Sequence, residues 1–328
     1  MIFKSNASKA LSAMACGIAM LASLTPCGAQ TASSSKPITL VVPYGAGGST
    51  DIMARVMAQY LPQVASTAAI VENRTGGGGL VGWGSVARAV PDGTTVLTNE
   101  ISFPISSALL PSMPFDPKTA FAHITIAASV PHALVVHPSV PAKTLKEFVA
   151  YAKANPGKLN YGSGGNGTNT HMGAELFKSL GGIFSTHIPY RGGGPALVGV
   201  LAGDVQWMVT ALPGALPHIK SGKVRALMVT ANERSTVAPE IPSAKESGLD
   251  MDMPFWLGFS VPSSTPAAVQ AKLHKDMTTV LGMPEVKKRL GEMGFSVIAS
   301  TSSDAKKLVE SDMVRWSKLI KTAGIKAD

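Results

Sequence analysis

The stretch Pro43-Tyr44-Gly45-Ala46-Gly47-Gly48-Ser49-Thr50-Asp51 constrains this chain more than any other. The apolar run Ile38–Val42 precedes it, and a run of helical periodicity, Asp51–Leu61, follows. It therefore reads as the turn from a buried strand into a helix. Its glycines let the backbone adopt positive φ and bring N–H groups close to a guest. The helix beginning near Thr50 adds unsatisfied N–H groups and the positive end of a dipole. Two readings follow: a site for a carboxylate or phosphate, or a connecting turn that binds nothing.

The theme recurs. Leu159–Tyr161 leads through Gly162–Thr168 into a helix over Met172–Leu180, and strand Ser185–Pro189 leads through Tyr190-Arg191-Gly192-Gly193-Gly194 to a helix start at Pro195. A further glycine loop, Glu72–Gly79, joins strand Ala69–Val71 to a helix over Leu80–Val90. The alternation of strand, loop and helix predicts α/β architecture with parallel strands and ligand loops at their C-terminal ends. Thr95–Thr98 reads as a third strand and residues 103–119 as irregular. Strands His123–Val130 and Ala133–His137 flank Pro131, where the chain can cross to a second lobe; Val224–Val229 can cross back. Thr144 and Glu147 predict a capping box for the helix over Thr144–Ala154. Val205–Val209 reads as a strand, and Leu212–Lys220, Pro266–Leu281, Glu285–Met293 and Ser302–Thr322 as helices. Loops of one design in the first and middle thirds predict two α/β lobes presenting N–H groups to a shared cleft.

The N-terminus carries Lys4 and Lys9, then an apolar stretch from Ala10 to Leu24, then Thr25–Gln30. That order predicts a secretory signal peptide over residues 1–29, cleaved after Ala29. The apolar stretch is short for a membrane span. Anchoring as a lipoprotein at Cys27 is disfavoured because Pro26 precedes the cysteine. Both cysteines, Cys16 and Cys27, fall inside the leader, so the mature chain carries neither a disulfide nor a thiol nucleophile. Stability must come from the core, which a chain of 328 residues with 45% hydrophobic content can build.

The formal charge of +9 falls to +7 without the two leader lysines. The remaining cations are scattered rather than set in a stripe with aromatics, which argues against nucleic acid as a partner. There is no Gly-x-Ser-x-Gly elbow, no His-Glu-x-x-His and no P-loop ending in Gly-Lys-Ser/Thr. The seven histidines form no i, i+4 pair. No metal site and no cofactor motif is thus supported, and an exported hydrolase, the enzyme alternative, finds no motif of its own. The ligand-sensing half of a transcription regulator is disfavoured by the signal peptide and the lack of a DNA-binding helical domain.

Several short motifs, in order along the mature chain, resemble one family. They are Val41-Val42-Pro43-Tyr44 with Gly47–Asp51; Val71-Glu72-Asn73-Arg74; Ala89-Val90-Pro91-Asp92-Gly93; Gly165-Asn166-Gly167-Thr168 with His171 and Glu175; Pro189-Tyr190-Arg191-Gly192-Gly193; Leu216–Lys223; and Trp256 with Gly258. The sequence resembles the periplasmic solute-binding proteins of tripartite tricarboxylate transporters, the Bug or TctC family. The resemblance implies a type II periplasmic-binding-protein fold: residues 37–130 with 228–328 form one domain, residues 131–227 the other, joined by a two-strand hinge. It implies a monomer that delivers a small carboxylate ligand to the membrane components of such a transporter, or signals its ligand state to a sensor kinase. The implied ligand residues are Tyr44, Gly47, Gly48, Ser49, Thr50 and Asp51 on one side of the cleft. Ser163, Asn166, Gly167, Thr168, His171, Tyr190 and Arg191 lie on the other, with Thr210 farther along.

Physical chemistry assigns some of these different work. Asp51 suits the first turn of its helix as a dipole-stabilised carboxylate better than a ligand contact. His171 suits a structural role near a helix start, and Trp256 suits the core. Arg191 fits either a second ligand carboxylate or an exposed turn. Where many family members carry Asp or Asn after the strand ending at Val209, this chain has Thr210-Ala211. The expectation is a roomier pocket for a longer or aromatic mono- or dicarboxylate rather than a small amino acid.

Overall fold

The computed structural model describes residues 36–253, 255–323 and 325. The expected signal peptide, with Cys16 and Cys27, lies outside them. The described chain is built on two twisted sheets. The first has the order β11 (Ser296–Val297), β4 (Phe121–Val130), β10 (Phe255–Pro262), β3 (Thr95–Glu100), β1 (Ile38–Val42), β2 (Ala69–Asn73), and the second the order β7 (Thr186–Pro189), β6 (Asn160–Ser163), β8 (Trp207–Ala211), β5 (His132–Val136), β9 (Arg225–Val229).

In the first sheet, β1 (Ile38–Val42) pairs in parallel with β2 (Ala69–Asn73) and β3 (Thr95–Glu100). The apolar run of β1 is buried, as expected of a parallel strand covered on both faces. The crossovers are helices α1 (Ser49–Tyr60) and α2 (Leu80–Ala87). Helix α1 seats Met53, Val56 and Met57 on the sheet. Each contributes about 1.5–3 kcal/mol of apolar burial. Ile52 and Tyr60, four residues to either side of Val56, are only half-buried. Residues 103–119 are not all irregular, because α3 (Ser102–Leu109) occupies the first seven of them. Its Pro104 falls in the first turn, where no intrahelical N–H is lost.

Strand β4 (Phe121–Val130) runs in the first sheet and, after Pro131, becomes β5 (His132–Val136) in the second. There β6 (Asn160–Ser163) pairs in parallel with β7 (Thr186–Pro189) and β8 (Trp207–Ala211), whereas β5 is antiparallel to β8 and β9 (Arg225–Val229). The strand expected over Val205–Val209 is thus displaced two residues, which puts Thr210 and Ala211 at its end. Helix α4 (Leu145–Ala154) opens on the expected capping box between Thr144 and Glu147. With α5 (Asn169–Gly181) it covers one face of this sheet through Phe148, Phe177 and Trp207. Helices α6 (Gly193–Ala202) and α7 (Leu212–Lys220) cover the other through Ala196, Val200 and Leu216.

The chain returns to the first sheet as β10 (Phe255–Pro262), antiparallel to β3 and β4. At the crossings, Thr230 N–H donates to His132 O at 2.8 Å and Met253 N–H donates to Thr230 O at 3.1 Å. Helices α8 (Ala267–Gly282) and α9 (Pro284–Glu292), the short β11 (Ser296–Val297) and α10 (Ser302–Ala323) close the first half. Among the described residues no helix is long and apolar enough to cross a membrane.

Candidate functional site

The loop at Pro43–Gly48 is held by its own half. Asp51 Oδ2 accepts from Gly47 N–H at 3.0 Å and from Arg55 Nε at 2.8 Å. Its Oδ1 accepts from Arg55 Nη2 at 3.0 Å and Asn73 Nδ2 at 2.9 Å. Asn73 Nδ2 also donates to Tyr44 O at 2.9 Å, so the last residue of β2 ties both ends of the loop. Burial favours the neutral Asp51 acid, but the bonds from Arg55, Gly47 and Asn73 outweigh it and hold the carboxyl below its ordinary range. Asp51 orders the loop and keeps no lone pair idle for a ligand cation.

The facing loop is ordered in the same manner. Thr168 caps α5 by accepting from His171 N–H, and Gly164 N–H donates to Thr170 Oγ1 at 2.7 Å. His171 is buried, accepts from Gly167 N–H at Nδ1 and stacks on His187 with centroids 4.5 Å apart. Ser163 Oγ lies 2.5 Å from His187 Nε2, the pairing a hydrolase needs. Yet Ser163 is fully buried, and it does not border the cavity described below.

The two loops meet. Gly45 N–H donates to Arg191 O at 2.7 Å, and Ser106 Oγ donates to Gly167 O at 3.0 Å. Asn169, the first residue of α5, makes three contacts: its N–H to Ser102 Oγ at 2.8 Å, Nδ2 to Glu100 Oε2 at 2.8 Å, and Oδ1 opposite His132 Nε2 at 3.2 Å. A Cβ on Gly78 would collide with Asn166 O. Gly78 also has φ +63°, so glycine is required there on both counts.

Between the loops lies a cavity of about 40 Å³. That is room for about three water-sized groups. Of the expected residues, Tyr44, Gly48, Ser49, Thr50, Asp51, Thr168 and Thr210 line it. Gly47, Ser163, Asn166, Gly167, His171, Tyr190 and Arg191 do not. Tyr190 instead packs on Gly199 of α6, the Arg191 side chain is exposed, and Trp256 is core, donating from Nε1 to Asp312 at 2.7 Å. Phe255, one residue earlier, reaches the cavity.

Four helices present N-termini to this space: α1 through Ser49 and Thr50, α3 through Ser102, α5 through Asn169 and Thr170, and α6 through Gly193. Helices α1 and α6 have no side-chain cap, so their first N–H groups are available to an anion. No Lys, Arg or His lines the cavity.

Glu100 and Asn169 line the cavity and were not among the candidates. The sequence signal for Glu100 is an acid ending a buried strand, at the strand end where α/β sheets bind ligands. The third strand, expected to stop at Thr98, runs two residues further to reach it. Burial raises the Glu100 carboxyl above its ordinary range against the opposing pull of Ser102, Tyr44 and Asn169. Burial, then the charge of Glu100, holds the Tyr44 phenol well above its own. Tyr44 and Glu100 interact electrostatically, yet Tyr44 Oη, Ser49 Oγ and Glu100 Oε1 are all buried without a hydrogen-bond partner. Among the described residues no cluster of three or more His, Cys, Asp or Glu is placed to hold a metal ion.

Residues 53–325 match the family described as "Tripartite tricarboxylate transporter family receptor" (TctC). The chain is 30% identical over 295 residues to Protein BugT of Bordetella pertussis, covering 89% of this chain and 90% of that protein. The MatC protein of Rhodopseudomonas palustris, solved with bound malate, is 29% identical, with a TM-score of 0.84 over 88% of this chain and 99% of that one. A second R. palustris protein, solved with adipate, is 30% identical, with a TM-score of 0.85 over 89% and 99%. The mixed α/β fold on two sheets is that of periplasmic binding proteins, as the resemblance implied, and the neighbours are binding proteins rather than enzymes. The chain belongs to the tripartite tricarboxylate transporter receptor family, TctC, whose members include the Bug proteins.

Proposed function

We propose that this protein is a periplasmic solute receptor that captures a small carboxylate between its two halves and hands it to the membrane components of a tripartite transporter. One observation carries this reading: uncapped helix N-termini from both halves converge on one cavity that no basic side chain lines. Such a site holds an anion with N–H donors and dipoles, and releases it without breaking an ion pair. Malate and adipate bound to two structural neighbours support the chemical class.

The lobes correspond to the two sheets, and the crossings at Pro131 and Thr230 act as the hinge. The bonds from Gly45 to Arg191, Ser106 to Gly167 and Asn169 to Glu100 exist together only when the lobes are closed. Ligand that bridges both loops therefore shifts the equilibrium toward closure. The leader at residues 1–29 directs export.

Calorimetry and thermal shift over a panel of mono- and dicarboxylates, with small-angle scattering at saturation, test the reading. Binding with a smaller radius of gyration is expected. Failure of every carboxylate to bind or stabilise overturns it. Cell fractionation tests the compartment, with the mature chain expected in the periplasmic extract.

A further inference from the structure

The acid absent after β8 is supplied from the opposite wall. Glu100 ends β3, is 1% exposed, and borders the cavity beside the N-termini of α1 and α5. Its Oε2 is committed, accepting from Ser102 N–H and Asn169 Nδ2, both at 2.8 Å. Its Oε1 has no partner. Burial favours the neutral acid, and the two N–H donors and the start of α3 oppose it by favouring the ionised form, which accepts and does not donate. A buried acceptor left unpaired is costly, so a ligand that pairs it binds better than one that cannot.

Resting on the carboxylate reading above, we infer that Glu100 is a specificity-determining residue whose Oε1 accepts a hydrogen bond from a hydroxyl or ammonium group carried beside the ligand carboxylate. The preferred class is then 2-hydroxy or 2-amino carboxylates over unsubstituted ones. Glu100 borders the same cavity as the N-termini of α1 and α5, so the group meeting it lies close to the carboxylate they hold. An unsubstituted methylene there leaves Oε1 unpaired and does nothing to offset repulsion between the two carboxylates. A site built around a buried polar group rejects analogues lacking its partner far more strongly than a site that merely has spare volume. The lack of an acid at Thr210–Ala211 therefore does not exclude a small amino acid, because Glu100 supplies one from the other wall.

The test uses ligands of equal skeleton on the mature chain at neutral pH, by calorimetry. The sets are succinate, malate and aspartate, then glutarate, 2-hydroxyglutarate and glutamate, with adipate as a longer reference. For a skeleton that binds, the hydroxy or amino member is expected to bind at least about tenfold more tightly than the unsubstituted acid. Glu100→Gln is close in shape but replaces the accepting edge with a donor, and should bring the ratio to within about twofold or invert it. Comparing ligands on the unaltered protein needs no variant, so poor folding of E100Q leaves the inference testable. Equal or tighter binding of the unsubstituted acids overturns the inference but leaves the carboxylate reading standing, as does an unchanged ratio in E100Q. No binding of any member overturns both.

Discussion

Gly45→Ala tests whether the two loops close on one another in the bound state. Gly45 has no positive φ, so its own backbone accepts a methyl group. A Cβ built there lies 2.6 Å from Pro195 Cγ, 2.9 Å from Arg191 O and 3.1 Å from Pro195 Cδ. All three atoms belong to the opposite half. Ordinary contact begins near 3.4 Å, so the gap must widen by about 0.5–0.8 Å. Arg191 O is backbone and Pro195 is a ring, so neither can rotate aside. Widening also stretches the 2.7 Å bond from Gly45 N–H to Arg191 O. Overpacking of this kind costs about 1–3 kcal/mol, charged here to the closed state alone. Affinity for a carboxylate ligand should fall about 5- to 140-fold. The free protein, with its lobes apart, should melt no lower than wild type, because alanine restricts the unfolded chain by about 0.4–1 kcal/mol. Gly282→Ala is the control, since a Cβ there meets nothing within 4 Å. Calorimetry gives the affinity and a thermal melt without ligand gives the stability. Wild-type affinity in G45A would refute closure through these loops, and a lowered melting temperature without ligand would place the contact in the free state.

Three further outcomes are expected. Asn169→Ala removes the side-chain links to Glu100 and His132 and should weaken ligand binding about 10- to 100-fold, measured by calorimetry. Asp51→Asn should lower stability by about 1–3 kcal/mol in denaturant melts at neutral pH. Because the fold depresses the Asp51 pKa, its contribution is fully present above the ordinary value of 3.8 and is lost as pH falls through the lowered one, so D51N should flatten the acid limb of the stability curve. His132 and His123 are pushed down to about 4, in both cases chiefly by burial. Between pH 6.5 and about 4 the unfolded chain binds their protons and the fold does not. Stability should therefore decline as pH falls across that window, by up to about 1.4 kcal/mol per pH unit for each group, and His132→Gln should reduce the slope.

The sequence alone determined the elements and the character of the site. Periodicity and punctuation are local, so β1, the capping box at Thr144 and the helix at Leu212–Lys220 are legible residue by residue. Glycine followed by Ser or Thr at a helix start is likewise a local signature, and it marked the loops that the structure brings together. What a side chain faces is not local. His171 and Tyr190 sit in the right motifs but point their chemistry into their own half, whereas Glu100 and Asn169 reach the cavity from ends of elements that periodicity left out or cut short. The α3 helix was hidden by its proline, and with it the N–H group that fixes Glu100. That Asp51 is spent on the loop follows from Asn73, twenty-two residues away, and that Glu100 keeps a lone pair free follows from the placement of three separate elements. Local sequence sets which groups are available. Only the tertiary structure decides which of them are already satisfied and which are left for a ligand.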